Sequence, residues 1–164
     1  MCIYNYINYW YKRRTNLVSP ANGKAISLKN VPDKTFSEEL LGKGIAVDPE
    51  DGVVVSPVDG KVTLVFDTKH AIAIQTSDGV ELLIHIGIDT VRMNGKGFNA
   101  FVKTGDTVKK GNKLVEFDLN LVKEEAESSI IMVVVTNSDS MKFIKSLKYG
   151  KVKQGDELAL IGVN

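Results

Sequence analysis

From Pro20 onward the chain is a succession of short β-branched runs, each closed by a glycine or aspartate turn signal. Val53-Val54-Val55, Lys61 to Phe66, Ala71 to Ile74 and Val80 to Ile84 are such runs. Lys113 to Phe117, Ile130 to Val135 and Glu157 to Ile161 continue the series. Between them stand Asp51-Gly52, Asp59-Gly60, Asp78-Gly79, Gly105-Asp106, Gly111-Asn112 and Gly155-Asp156. Many short strands at close turn spacing demand an all-β sandwich or barrel. The turns recur because glycine reaches φ values that other residues avoid.

Two sequence pairs repeat. Ser19-Pro20-Ala21-Asn22-Gly23-Lys24 resembles Ser56-Pro57-Val58-Asp59-Gly60-Lys61, and Thr107 to Val115 resembles Lys151 to Ala159. This predicts a duplicated β motif whose halves share one core. Helical stretches are few and too short to stand alone. They are expected at Ser37 to Leu41, at Asn120 to Ala126 behind Asp118 as cap, and at Ser138 to Lys145.

At 164 residues one domain is expected. Lys plus Arg number 21 against 20 acids, a net charge of +1, which argues against nucleic acid as partner. No apolar run reaches the length of a membrane span. A lone cysteine, Cys2, excludes an intramolecular disulfide framework and a multi-cysteine zinc site. Residues 1–18 stand apart: Tyr4, Tyr6, Tyr9, Trp10 and Tyr11 precede Lys12-Arg13-Arg14, with no acid. They read as a poorly ordered tail ahead of a domain at 19–164. Its aromatic and basic residues also suit contact with a membrane surface.

The chain holds two histidines, His70 and His85, and they flank a hairpin whose loop Gly79 can close. A register pairing Gln75 with Val80 would set them directly opposite each other, with Cβ atoms about 4.5–5.5 Å apart. A slip of one residue would send the rings to opposite faces. Two adjacent imidazoles disfavour double protonation. They offer a neutral nucleophilic nitrogen and a neighbour that can hydrogen-bond whatever becomes attached. Leu83, Ile84, Ile86 and Ile88 would keep water from a hydrolysis-prone covalent group.

Other chemistries lack residues. Catalytic zinc needs a third protein ligand, which only a carboxylate such as Asp67 or Asp89 could supply. No Gly-x-Ser-x-Gly elbow and no phosphate-binding glycine loop is present. A biotinyl- or lipoyl-type carrier needs a lysine at a hairpin tip, and Ser140-Met141-Lys142 falls in an expected helix. No metal and no cofactor is expected.

Ser56-Pro57-Val58-Asp59-Gly60-Lys61-Val62, Thr68-Lys69-His70 and His85-Ile86-Gly87-Ile88-Asp89-Thr90-Val91 closely resemble the glucose-type IIA domain of the bacterial phosphoenolpyruvate:sugar phosphotransferase system. The likeness runs from about Pro20 to Ile161. It implies a compact antiparallel β-sandwich with a duplicated motif, and a cytoplasmic phosphotransferase working near the inner face of the membrane. His85 would take a phosphoryl group from the histidine phosphocarrier protein and pass it to a cysteine of the permease's IIB domain. His70 would stabilise that group, Thr68 orient the pair, and the Gly87 carbonyl fix the His85 tautomer. Asp33 and Asp89 would meet the phosphocarrier beside an apolar ring of Phe36, Leu40, Ile45 and Leu83. Leu83 and Ile86 are aliphatic where some relatives carry phenylalanine, which bears on partner preference. The alternative within the family is a regulatory binding protein whose targets are controlled by histidine phosphorylation. The resemblance leaves residues 1–18 without a part in phosphoryl transfer.

Overall fold

A computed structural model describes residues 14–164. The runs form strands β1 (Arg14–Val18), β2 (Gly23–Ser27), β3 (Lys43–Pro49), β4 (Val53–Val55), β5 (Gly60–Val65), β6 (Ala71–Gln75) and β7 (Glu81–Ile88). After these come β8 (Phe98–Ala100), β9 (Thr107–Val108), β10 (Lys113–Phe117), β11 (Ser128–Val135), β12 (Phe143–Ser146), β13 (Gly150–Val152) and β14 (Glu157–Gly162). They make one eight-stranded sheet, ordered β13-β2-β3-β11-β7-β6-β5-β9, and two three-stranded sheets, β1-β14-β12 and β4-β10-β8. All the pairings are antiparallel, and none of the sheets closes on itself. The fold is therefore a sandwich rather than a barrel.

Alternation along the large sheet explains the layering. Ile45 and Val47 of β3, Ile72 and Ile74 of β6, Leu82, Ile84 and Ile86 of β7, and Ile131 and Val133 of β11 face inward. They pack with Leu17, Val54, Leu114, Leu158 and Ile161 from the two small sheets. The opposite face is also apolar at its centre. There Ala46, Met132 and Val134 lie beneath Leu28, Val31 and Phe36, carried by the segment that leads from β2 to β3.

The sequence repeat becomes a quasi-twofold. Gly23 and Lys24 pair with Val152 and Lys151, and Gly60 and Lys61 pair with Val108 and Thr107. The Ser-Pro segments bond reciprocally: the Val18 N–H donates to Pro57 O at 3.0 Å, and the Val55 N–H to Pro20 O at 2.8 Å. The two small sheets are counterparts under the same relation.

Two of the three expected helical segments depart from expectation. α1 is Lys34–Ser37, upstream of the expected Ser37 to Leu41, because Asp33 caps it and accepts from the Thr35 N–H at 2.8 Å. α2, Leu119–Glu125, starts behind Asp118, whose carboxylate accepts from Leu121 N–H. At 138–145 only one 3₁₀ turn forms, Ser138–Ser140; β12 follows because Ile144 packs on the core.

The boundary at 18/19 also moves. Arg14 to Val18, assigned to the tail, form β1 and pair with β14 from Gly162 to Glu157. Leu17 is 2% exposed within the main core. The Thr15 hydroxyl donates to the Asp78 carboxylate at 2.8 Å, which ties β1 to the β6–β7 turn. The expectations for residues 1–13 lie outside the described residues. Leu17→Ala should cost about 2–5 kcal/mol, as buried leucine truncations do. Urea unfolding of the full chain will show this as a lower midpoint with unchanged slope. A variant matching the parent midpoint would mean that β1 adds nothing to the core.

Candidate active site

β7 lies at the centre of the large sheet, between β6 and β11. Its Leu82, Ile84 and Ile86 point inward, so Leu83 and His85 face outward. His85 stands opposite Met132 on one side and Ala71 on the other.

The β6–β7 register differs by one residue from the expected one: Gln75 pairs with Glu81, and Ala71, not His70, opposes His85. The two rings nevertheless meet, with centroids 4.9 Å apart at an interplanar angle of 80°. His70 precedes β6 in a bend, directly after Lys69 at φ 60°. That break in the extended chain frees its ring from the strict alternation of the strand. Ala71 presents only a methyl opposite His85, which leaves room for the second imidazole.

Each ring is held by a hydrogen bond at Nδ1. His70 Nδ1 is 2.6 Å from Thr68 Oγ1. His85 Nδ1 is 2.9 Å from the Gly87 carbonyl oxygen. A carbonyl can only accept, so Nδ1 carries the proton and Nε2 of neutral His85 keeps its lone pair. Gly87 reaches this geometry at φ 74°. β11 answers with a register shift between Ser128 and Ile131. A Cβ on Gly87 would meet Thr90 Cγ2 at 2.5 Å and Ser128 O at 2.7 Å. Beyond this kink the alternation is broken: Ile88 joins the outer apolar cluster rather than the core with Ile86.

Burial favours the neutral form of both rings. It is the largest cause pushing His85 down from 6.5 to about 4, and the neighbouring His70 adds to the effect. The Gly87 carbonyl and the Asp33 carboxylate pull the other way. His70, 3% exposed, is also lowered by burial.

In front of His85 is a shallow depression of about 220 Å³ lined by Asp33, Phe36, Leu41, Asp89 and Val91 among others. The Phe36 ring is buried and tilts against His85 at 5.2 Å. Asp33 is half-buried and doubles as the cap of α1. Asp89 is exposed, at φ 65°, with Arg92 4.0 Å away. Leu40 is 68% exposed, and Leu83 is half-buried two residues from His85 on its face. Ile45 does not belong to this ring. It is 1% exposed and faces the core opposite Val133, because Gly44 and Ala46 hold the outward positions of β3.

Sequence reading missed Phe66 and Leu64. The Phe66 ring meets the His70 ring edge-on at 5.5 Å, and Phe66 and Leu64 remain 36% and 47% exposed. With Ala73 and Leu83 they line a second groove beside the histidines. Simple alternation hides them: Leu64 and Phe66 share the parity of Val62, and only the bulge between Val62 and Leu64 sends Val62 and Val65 toward the core and leaves Leu64 and Phe66 outside.

The family model described as phosphoenolpyruvate-dependent sugar phosphotransferase system, EIIA 1, matches residues 15–141. Its match begins inside the stretch first assigned to the tail. The PTS system glucose-specific EIIA component of Halalkalibacterium halodurans is 49% identical over 140 residues, covering 85% of this chain and 81% of that protein. The glucose-specific EIICBA component of Staphylococcus carnosus is 47% identical over 143 residues; there the match takes 87% of this chain and 21% of the longer protein. Among solved structures, glucose permease IIA from Mycoplasma capricolum aligns at a TM-score of 0.87 and 40% identity, covering 92% of this chain and 97% of that one.

Stability should record the desolvated, neutral imidazole of half-buried His85. Its folded pKa lies below the unfolded value, so its contribution is full above about pH 6.5 and fades as pH falls toward 4. Below pH 6.5 the unfolded chain binds the proton that the folded chain refuses. Histidine NMR titration should show His85 neutral at pH 5.5. A folded-state midpoint near 6.5 would show that the ring is not desolvated.

Proposed function

This chain belongs to the glucose-type IIA family of the phosphoenolpyruvate-dependent sugar phosphotransferase system, and we propose that it carries the phosphoryl group on His85 Nε2. It is a phosphotransferase component of sugar uptake, working with the IIB domain of a sugar permease. The observation that carries the residue assignment is the neutral His85 ring with its Nδ1 proton committed to Gly87.

The reaction follows from that geometry. The Nε2 lone pair attacks phosphorus of the phosphohistidine on the histidine phosphocarrier protein. The carrier's N–P bond breaks, and its electron pair returns to the carrier's imidazole. His85 gains positive charge as the new P–N bond forms, and the Gly87 carbonyl and Asp33 stabilise it. Little covalent chemistry is asked of the protein, so positioning and charge do most of the catalysis. His70 stands beside the incoming group; with Nδ1 accepting from the Thr68 hydroxyl, its Nε2–H can donate to a phosphoryl oxygen. In the second half-reaction a IIB cysteine thiolate attacks phosphorus and the electron pair returns to His85 Nε2.

Docking falls to the exposed apolar surface around the rings. Leu40 and Leu83 belong to it, and Leu64 and Phe66 extend it, while Phe36 works from below by backing His85. Asp33 and Asp89 place negative charge at the rim for a basic side chain of the phosphocarrier, which favours fast, transient encounter. We place the protein at the cytoplasmic face of the membrane, where IIB presents its cysteine. None of the helices among the described residues is long and apolar enough to cross a membrane itself.

His85→Gln should abolish uptake of labelled phosphate from the phosphocarrier. His70→Gln should still accept phosphate and then donate poorly to IIB. Mass spectrometry of the histidine peptides reads both. Label accumulating on His70 of the parent protein would overturn the assignment.

A further inference from the structure

The hydrogen bond that fixes the His85 tautomer depends on a carbonyl that an ordinary strand would not offer. Successive carbonyls in a strand point sideways toward neighbouring strands. Gly87 escapes this through its φ of 74°, and something must hold the peptide there. Thr90 is in place to do so. It is 0% exposed, and its hydroxyl donates to the Ile86 carbonyl at 2.6 Å. That oxygen belongs to the peptide leading into Gly87. On the other side of the residue, Thr90 Cγ2 lies 2.5 Å from where a Cβ on Gly87 would stand. One side chain thus grips the peptide before Gly87 and closes the space beneath its Cα. Its own position is set by Asp89 at φ 65° and by the 3₁₀ turn Thr90–Met93.

We propose that Thr90 is a positioning residue for phosphoryl transfer: through the Ile86–Gly87 peptide it aims the Gly87 carbonyl at His85 Nδ1 and so selects Nε2 as the nucleophile. It acts through the backbone: its hydroxyl bonds the Ile86 carbonyl rather than a ring nitrogen of His85. Its hydroxyl sets the orientation of the peptide, and its methyl only fills the space where a Cβ on Gly87 would stand. The catalytic part of this proposal rests on His85 as phosphoryl acceptor; the tautomer part does not.

Thr90→Val keeps the shape and removes the hydroxyl, leaving the Ile86 carbonyl without that donor. Thr90→Ser keeps the hydroxyl and loses the methyl. With ¹⁵N-labelled histidine, the parent should show His85 as a single tautomer protonated at Nδ1. In Thr90→Val the two ring nitrogens should shift toward a mixture of tautomers. Phosphate uptake from the phosphocarrier should fall roughly tenfold, the equivalent of about 1.36 kcal/mol in the barrier. Thr90→Ser should recover the parent signature and most of the rate, a rescue that loss of packing alone would not give. Thr90→Ala, which buries no extra methyl at the site of the lost hydroxyl, is read in the same way where Thr90→Val folds poorly. A folded hydroxyl-free variant with the parent's ring signals and a rate within about twofold overturns the proposal. Label found away from His85 in the parent would instead refute the functional reading, and the ring signals would still decide what Thr90 does.

Discussion

The central strand pair β7–β11 is apolar on both faces, and the rest of the molecule follows from having to cover it. Ile84 and Val133 face one way; Met132 and Val134, flanking Val133, face the other. A sheet with two such faces needs a layer on each side. The small sheets supply the inner layer whole. The outer layer is only the segment carrying Leu28, Val31 and Phe36, and it ends at Phe36, beside His85. The histidines sit at the edge of this incomplete cover. They are dry enough to stay neutral and open enough to be reached.

That edge sets up opposing influences on one ring. Burial and His70 disfavour charge on His85, while the Gly87 carbonyl and Asp33 favour it. A fully buried histidine without these partners would bear the charge of phosphoryl attack badly. A solvent-exposed one would spend part of its time protonated and unable to attack near neutral pH. A neutral resting state with charge-stabilising groups already aimed at the ring suits a residue that must accept a phosphoryl group and then release it.

Much of this was legible in the chain itself. The β class, the doubled Ser-Pro-x-Asx-Gly-Lys motif and the two histidines stand in the sequence because turns and alternation are local properties. What escaped is set by departures from regularity. The ring contact was foreseen through a direct pairing of His70 with His85, yet it arises from a bend at Lys69 and a register one residue away. Ile45 read as a surface residue because Gly44-Ile45-Ala46 carries no sign of which parity faces the core; only its pairing with Val133 decides this. Arg14 to Val18 read as tail because their partner β14 lies at the far end of the chain. Phe66 and Leu64 share the parity of the buried Val62, and only the bulge before Leu64 turns them outward.

The quasi-twofold shows how a duplicated frame came to hold a single site. In one half the ladder runs Ile26, Ala46, Met132; in the other, Leu64, Ala73, Leu83. The next rung pairs Gly44 with Val134 in the first half and Ala71 with His85 in the second. The cross-pairs Met132–His85 and Val134–Leu83 exchange under the same axis. Val134 is thus the counterpart of His85. In the first half the connection from β2 to β3 is long enough to fold back over the face, and Met132 and Val134 are fully buried beneath it. In the second half the β5–β6 connection is the short turn that carries Thr68 and His70, so Leu64 and Leu83 stay in reach of solvent. Connection length, more than strand sequence, decides which half is closed. A histidine at Val134 would lie beneath that segment, beyond the reach of a docking protein.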